Sequence, residues 1–179
     1  MLAATCAALM GLGFATFEWA GPFVGQKLGL IGEQRLYTTI NQARDDAGVT
    51  ITVDKAYTDA GNTYIAFRIQ PDQALAGSFA LGAFSLTDQY GEEPGGGNIQ
   101  CAARTDATAP MICVLDSPPF HPPSDATSLT MSLDIQALYH TTSQGSSQRI
   151  EGSWRFGFTV PFHTKNLGPG GPYAQPTRS

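Results

Sequence analysis

Charged residues are scarce in this 179-residue sequence, in which only 14% of the side chains are Asp, Glu, Lys or Arg. Ten Lys and Arg stand against fifteen Asp and Glu, so the formal net charge is -5 at pH 7. Proteins that bind nucleic acid present a clustered positive surface to the phosphates. This composition offers no such surface, and we therefore expect no nucleic-acid partner.

Motifs for catalysis and metal binding are also missing. The sequence contains no G-x-S-x-G nucleophile elbow, no H-E-x-x-H and no C-x-x-C. Its three histidines, His121, His140 and His163, are far apart. The glycine run in "EEPGGGNIQ" lacks the Lys-Ser/Thr pair of a phosphate loop, and Glu92 and Glu93 would repel phosphate. The sequence predicts no catalytic residue, no metal site and no cofactor.

Cysteine is rare, and the three cysteines are unevenly placed. Cys6 lies in the apolar N-terminus, whereas Cys101 and Cys113 flank a short loop. A disulfide across a hairpin is the favoured use of Cys101 and Cys113 if the domain lies outside the cytoplasm, because oxidising compartments permit such bonds. The alternative is that both are reduced, buried and act as small hydrophobic residues.

Charge is absent altogether from residues 1–17, and Glu18 is the first ionisable side chain. At about 1.5 Å per residue this apolar segment is slightly short for a bilayer core of about 30 Å. Phe17 and Trp19 stand where an aromatic interfacial belt is expected. We favour a transmembrane helix whose upstream part lies outside the sequence. A signal sequence, which normally begins with Lys or Arg, and a buried core helix are the alternatives.

The pattern of residues divides the chain into four parts. We expect a membrane anchor at 1–20, a connector with a short amphipathic helix at 21–48, a β domain at 49–163, and a flexible Gly/Pro-rich tail at 164–179. The short helix rests on Leu36, Ile40 and Ala43, which recur at helical spacing, and on Gly48, which suits the left-handed position that ends a helix.

Glycine and proline are plentiful, with 20 and 12 copies, which is typical of turn-rich β proteins. Apolar and polar residues alternate with the period of a half-buried strand in several segments, of which "SLTMSLDIQALY" and "GSWRFGFTVPF" are the clearest. About seven short strands separated by turns predict an antiparallel β-sandwich of immunoglobulin-like type. The predicted core consists of Val49, Ile51, Val53, Ile65, Phe67, Ile69, Leu129, Met131, Leu133, Trp154, Phe156 and Phe158.

Two aromatic residues raise the question of a binding surface. Phe120 and His121 stand between two Pro-Pro pairs in "DSPPFHPPSD". The prolines stiffen this loop in an extended form, which would allow it to present Phe120 and His121 to a binding partner. The favoured alternative is a connection between two sheets with Phe120 capping the core, since Phe is usually buried. Trp154 shares a face with Phe156 and Phe158, which indicates a core residue rather than a sugar-binding platform.

The order of elements also resembles a known family. An apolar anchor, a predicted helix, the hairpin "GVTITVDKAY" and "TYIAFRI", and a terminal "WRFGF" resemble the extracytoplasmic domain of unknown function that follows the membrane helix in bacterial anti-sigma-factor-like proteins. The similarity covers most of the chain from Phe23 to about Pro161. It implies a β-sandwich outside the cell, tethered to a cytoplasmic regulator that sequesters a sigma factor, and it brings no catalytic residues. This sequence has no cytoplasmic part before the anchor, so a sigma factor would be reached only through a part absent from this chain.

These observations predict a protein that binds rather than catalyses. We expect a single-pass protein of the cell membrane with its β domain outside, which senses or binds an unknown extracytoplasmic ligand or protein. The alternative is a secreted or surface-attached adhesion or carbohydrate-binding module with no signalling role. An upstream gene start that encodes a cytoplasmic domain would favour the regulator, and a basic signal-peptide start would favour the module.

Overall fold

The alternating segments form long strands in a computed structural model, which describes residues 36–72, 77–102, 104 and 106–165. The predicted anchor at 1–20, residues 21–35 of the predicted connector and residues 166–179 of the predicted tail lie outside the described residues. The mainly β prediction is confirmed. The strands are β1 (Thr38–Asp46), β2 (Val49–Asp59), β3 (Thr63–Pro71), β4 (Ser78–Asp88), β5 (Asn98–Cys101), β6 (Met111–Ser117), β7 (Ser128–Thr141) and β8 (Ser147–His163).

The strands form one curved sheet in the order β4-β7-β8-β2-β3-β6-β5, with β1 paired to β2 outside this path. All pairs are antiparallel except β2 with β8, which run parallel where Thr58 faces Phe162 and Asp59 faces His163. This short junction joins two halves, β4-β7-β8 and β1-β2-β3-β6-β5. The end strands β4 and β5 approach each other without pairing, so the sheet is a near-barrel.

The inward faces of both halves share one hydrophobic core. The residues predicted for the core are all buried there, and Trp154 is fully buried. Its indole Nε1 donates a hydrogen bond of 2.8 Å to the backbone oxygen of Val49, which links β8 to β2. This buried donor is satisfied, as the interior requires. Trp154 therefore lies in the core and offers no surface to a sugar.

The helix predicted before β2 is wrong over residues 38–46, which form strand β1. The spacing of Ile40 and Ala43 fits a helix, but β1 pairs with β2 on both sides of an irregularity between Thr39 and Gln42 and gains a ladder of backbone hydrogen bonds. Gly48 does adopt a left-handed conformation, with φ of 75°, and Ala47 before it has φ of 50°. Two successive positive φ values define a type I′ turn, which joins two strands and does not end a helix.

Strand β1 also covers the free edge of β8 with its side chains. Every second residue of β1, from Gln42 to Asp46, forms a side-chain hydrogen bond with the backbone of every second residue of β8, and the two segments run in opposite directions. Such side-chain coverage protects an edge that would otherwise be open to pairing. Three hydrogen bonds join β1 to β8, and in each the donor is given first: Gln42 Nε2 to the Gly157 oxygen at 2.8 Å, Arg44 Nε to the Arg155 oxygen at 3.1 Å, and the Ser153 amide to Asp46 Oδ2 at 2.7 Å.

A disulfide joins Cys101 and Cys113, which lie directly opposite each other on β5 and β6 with their Cα atoms 4.0 Å apart. Cys113 is fully buried, and Cys101 packs against the same core. Strand β5 has only four residues and pairs on one side only. The bond therefore ties a short edge strand to the sheet.

Loss of this bond is expected to destabilise the domain. The two cysteines are 12 residues apart, and closing a loop of this size stabilises a protein by about 3 kcal/mol. The double replacement Cys101→Ser and Cys113→Ser should lower the free energy of unfolding by about that amount in urea titrations. Cys6→Ser is the matched control. An equal midpoint for the double variant and the control would contradict the prediction.

Candidate functional site

Three connections meet at one end of the near-barrel, which we call the loop end. The strand register places Thr63 opposite Ser117, and Ser128 opposite Pro161. The turn at 60–62 and the loops at 89–97 and 118–127 therefore emerge side by side. Loops clustered on a rigid sheet are a common location for binding surfaces.

The loop end is built on buried polar side chains. Thr58 and Thr63 are fully buried, and their hydroxyl groups are 2.8 Å apart. Buried polar groups of this kind are costly unless they are paired, so they fix the conformation of the backbone around them. The other buried polar residues at this end are Asp59, Asp88 and Ser117.

Asp59 holds the turn between β2 and β3. Its Oδ1 accepts hydrogen bonds from the amides of Gly61 and Asn62, at 2.7 and 2.8 Å, and its Oδ2 accepts one of 2.6 Å from the Tyr57 hydroxyl. Burial, and then the hydrogen bond to Asp59, raises the pKa of Tyr57 far above its ordinary value. Tyr57 therefore stays a neutral donor, and the stacked ring of His163 lies 5.5 Å from it. The group is a structural anchor for the turn.

Asp88 holds the loop at 89–97 in the same way. Its Oδ1 accepts hydrogen bonds of 2.9 Å from the amides of Tyr90 and Glu92. Tyr90 is the most exposed large hydrophobic residue of the described chain, with 55% of its surface accessible. A rigid aromatic side chain that is already exposed contributes contact area at a low entropic cost.

Glu92 and His121 join two of the loops. The Glu92 carboxylate accepts a hydrogen bond of 2.7 Å from the His121 amide, and its second oxygen lies 2.8 Å from His121 Nδ1. The hydrogen bond from the His121 side chain lowers the pKa of Glu92. The His121 side chain is 78% exposed. The loops at 89–97 and 118–127 are thus held together at the surface.

The structure separates the two residues of the predicted partner loop. Phe120 is buried in the core with 1% of its surface accessible, whereas His121 is exposed. The hypothesis of an exposed aromatic anchor at Phe120 is therefore wrong, and the alternative in which Phe120 caps the core describes it. The Pro-Pro pairs on either side limit the freedom of the loop, so that one residue points inward and the next outward.

Acid is expected to weaken the link between the loops. The pKa of Glu92 is lowered on folding, so its contribution to stability is present above the ordinary value of 4.5 and is lost as the pH falls through the lower folded value. Because this pair is largely exposed, we expect less than about 1 kcal/mol. Glu92→Gln should remove this part of the acid dependence in urea titrations between pH 3 and 6. Glu93→Gln is the control, and equal profiles for the two variants would contradict the link.

The other histidines have different surroundings. His140 is buried and stacks on Phe79 with the ring centroids 4.8 Å apart, and His163 stacks on Tyr57. In the part of the chain that the structure describes, no group of three His, Cys, Asp or Glu side chains is placed to hold a metal ion. Nor do the described residues include a helix long and apolar enough to cross a membrane.

Comparison with known proteins adds information on the fold. No protein-family model matches this chain, and no curated protein matches it. A crystal structure of a conserved domain protein from Bacillus anthracis is similar, with a TM-score of 0.56 and 18% identity over 76% of this chain. The match covers 44% of that chain, so this chain spans less than half of it. The similarity shows a shared fold alone. By its fold, the described part of the chain is a mainly β near-barrel domain.

Sequence reasoning missed the residues that build the loop end. Tyr90 and Glu92 lie just before a run of glycines, yet Asp88 bonds the amides of both residues and His121 bonds the Glu92 carboxylate. A local signal for part of this exists, because Asp88 is followed by Gln-Tyr-Gly, and an Asp side chain before a turn commonly accepts the following amides. The contact with His121, which is 29 residues away, has no local signal.

Proposed function

We propose that the loop end is the binding surface of an extracytoplasmic domain that acts by binding and not by catalysis. The observation that carries this proposal is the pair of loops joined by Glu92 and His121 beside the exposed Tyr90. The buried Asp59 and Asp88 hold the loops in place before any partner arrives. A surface that is organised in advance loses less conformational entropy when it binds.

The disulfide supports a location outside the cytoplasm. Cys101 and Cys113 are bonded in the structure, and such bonds persist in oxidising compartments and are rare in the cytosol. In this proposal the near-barrel is a divergent immunoglobulin-like sandwich, with β4-β7-β8 facing β1-β2-β3-β6-β5. Immunoglobulin-like domains commonly carry their recognition loops at one end of the sandwich.

The proposal extends to a membrane-anchored regulator. Residues 1–20 would anchor the domain, and the resemblance to the extracytoplasmic part of anti-sigma-factor-like proteins supplies the signalling role. A partner at the loop end would shift such a system only by binding one of two states more tightly than the other. In this proposal, any contact with a sigma factor would run through a cytoplasmic part of the regulator and not through the β domain.

Localisation is tested first. The native gene, with any coding sequence upstream of Met1, is expressed in its own cells, and the membrane fraction is treated with protease from outside. We expect the domain to be membrane-bound and digested, and Cys101 and Cys113 to resist alkylation until a reductant is added. A domain released into the medium would overturn the anchor and favour the secreted module. Protection from protease together with free thiols would overturn the extracytoplasmic location.

The binding surface is tested by photo-crosslinking. Tyr90→p-benzoylphenylalanine places a crosslinker at the loop end, and Tyr139→p-benzoylphenylalanine places one on strand β7, where Tyr139 is 40% exposed. A specific adduct is expected at position 90 and not at position 139. Glu92→Ala in the same chain should reduce its yield several-fold, because both hydrogen bonds between Glu92 and His121 are then lost. Equal adducts at both positions would count against the loop end.

A further inference from the structure

The segment of β1 that covers the β8 edge is bracketed by two unusual backbone conformations. Asn41 has φ of 51° and Ala47 has φ of 50°, and they are the only residues other than glycine with positive φ in the described part of the chain. Between them, residues 43–46 are exposed and Gln42 is half-buried. The left-handed conformation is unfavourable for residues other than glycine. Asn can offset part of this cost with a hydrogen bond from its side chain, but Ala cannot.

Strand β1 is held by two different sets of contacts, and neither requires that β1 and β2 belong to one molecule. The backbone of β1 pairs with β2, and its side chains reach β8 from the opposite side. Arg44 also lies over the ring of Phe156, with Cζ 5.8 Å from the ring centroid. Among the described residues, the covalent link from β1 to the rest of the near-barrel is the turn formed by Ala47 and Gly48.

We propose that the surface of β2 and β8 that β1 covers, which we call the groove, is an interaction surface for the β1 strand of a second copy of this chain. In the exchanged dimer, the turn at Ala47 and Gly48 opens, and β1 continues directly into β2. Each β1 then occupies the groove of its partner with the same contacts that it makes in one molecule. The two turns are the parts that change, and opening them releases two alanines from the left-handed conformation.

The occupant is a second β1 because this groove is matched to the side chains of residues 42–46. The amide of Gln42 and the guanidinium of Arg44 donate to two backbone oxygens of β8, and the carboxylate of Asp46 accepts from a backbone amide. A strand with other residues at these three places would not make these three hydrogen bonds. Exchange between copies goes beyond the proposed function, since it uses the side of the near-barrel and not the loop end.

The experiment detects exchange directly with two variants of the purified full chain, each of which gains one cysteine. Ala43 and Thr52 face each other across β1 and β2. One sample carries Ala43→Cys and the other, with a different mass tag, carries Thr52→Cys, both in a Cys6→Ser background. The samples are mixed at increasing concentration and mildly oxidised, and a covalent heterodimer is measured on a non-reducing gel. Ala43→Cys mixed with Gln136→Cys is the control, because Gln136 is exposed on strand β7.

Substitutions at Ala47 in the turn should change the yield of heterodimer in opposite directions. Asn adopts the left-handed conformation more readily than Ala, so Ala47→Asn stabilises the closed turn in each of the two molecules that would exchange. The yield of heterodimer should therefore fall about tenfold. Ala47→Pro cannot adopt the turn and should raise the heterodimer towards completion. A natural turn that gives no heterodimer above the control at any concentration, or equal yields for the natural turn and for Ala47→Asn, would overturn the proposal. This comparison decides the question even if Ala47→Pro fails to fold.

Discussion

Replacement of Ile51 by Asp is expected to abolish folding. Ile51 is completely buried on β2 and pairs with Ile69 of β3. The change removes an apolar side chain, which by itself costs about 2–5 kcal/mol, and it places a carboxylate where no partner can reach it. The sum equals or exceeds the total stability of a typical domain, which is about 5–15 kcal/mol.

Thermal unfolding followed by circular dichroism measures this effect. Ile51→Asp should show no cooperative transition, whereas Ile51→Val should keep the transition and lose only about 1 kcal/mol. Gln136→Asp introduces the same charge at an exposed position of β7 and should leave the melting temperature nearly unchanged. A normal melting temperature for Ile51→Asp would show that this side of β2 does not face the core.

Removal of the Arg68 guanidinium is expected to have the second largest effect. Asp54 is 4% exposed, and Arg68 Nε and Nη2 donate to its two carboxylate oxygens at 2.8 and 2.7 Å. Arg68→Met keeps much of the side-chain volume but leaves the buried carboxylate without this partner. Loss of one member of a buried ion pair costs about 3–5 kcal/mol.

A double-mutant cycle separates this cost from that of lost packing. The variant with both Asp54→Asn and Arg68→Met should recover much of the stability, since no buried charge remains. Burial raises the pKa of Asp54, and Arg68 opposes this effect. The folded pKa is above the unfolded value of 3.8, so stability falls as the pH rises through that interval. Arg68→Met should therefore be more destabilised at pH 7 than at pH 4, and a loss independent of pH would contradict the role of the charge.

Much of the fold was predictable because its strands alternate. In β7 and β8, one face is buried in the core and the other is mostly exposed, so the sequence has a period of two that can be recognised without neighbours. Strand β1 is different. Ile40 is its only strongly apolar residue, most of the strand is exposed, and its stability comes from pairing with β2 and from side-chain bonds to β8 more than 100 residues away. No local pattern records such contacts, so helical spacing was the stronger signal.

The candidate site was less predictable for the same reason. The sequence marks His121 as a residue of a stiff loop, and Phe120 as a residue that prefers the core. The partner of His121, Glu92, lies on another loop, and only the tertiary structure brings the two together. Tyr90 carries no signal of its own because a single tyrosine beside glycines is common, and its exposure follows from the way in which Asp88 fixes the turn.

The parallel junction between β2 and β8 has a consequence for the speed of folding. Hairpins such as β2-β3 and β7-β8 join neighbouring segments and can form early, whereas the junction brings Thr58 to Phe162. Contacts so distant in sequence must overcome the entropy of closing a long loop before they stabilise anything. We therefore expect refolding in milliseconds to seconds, with the two halves formed first and the closure of the near-barrel as the rate-limiting step.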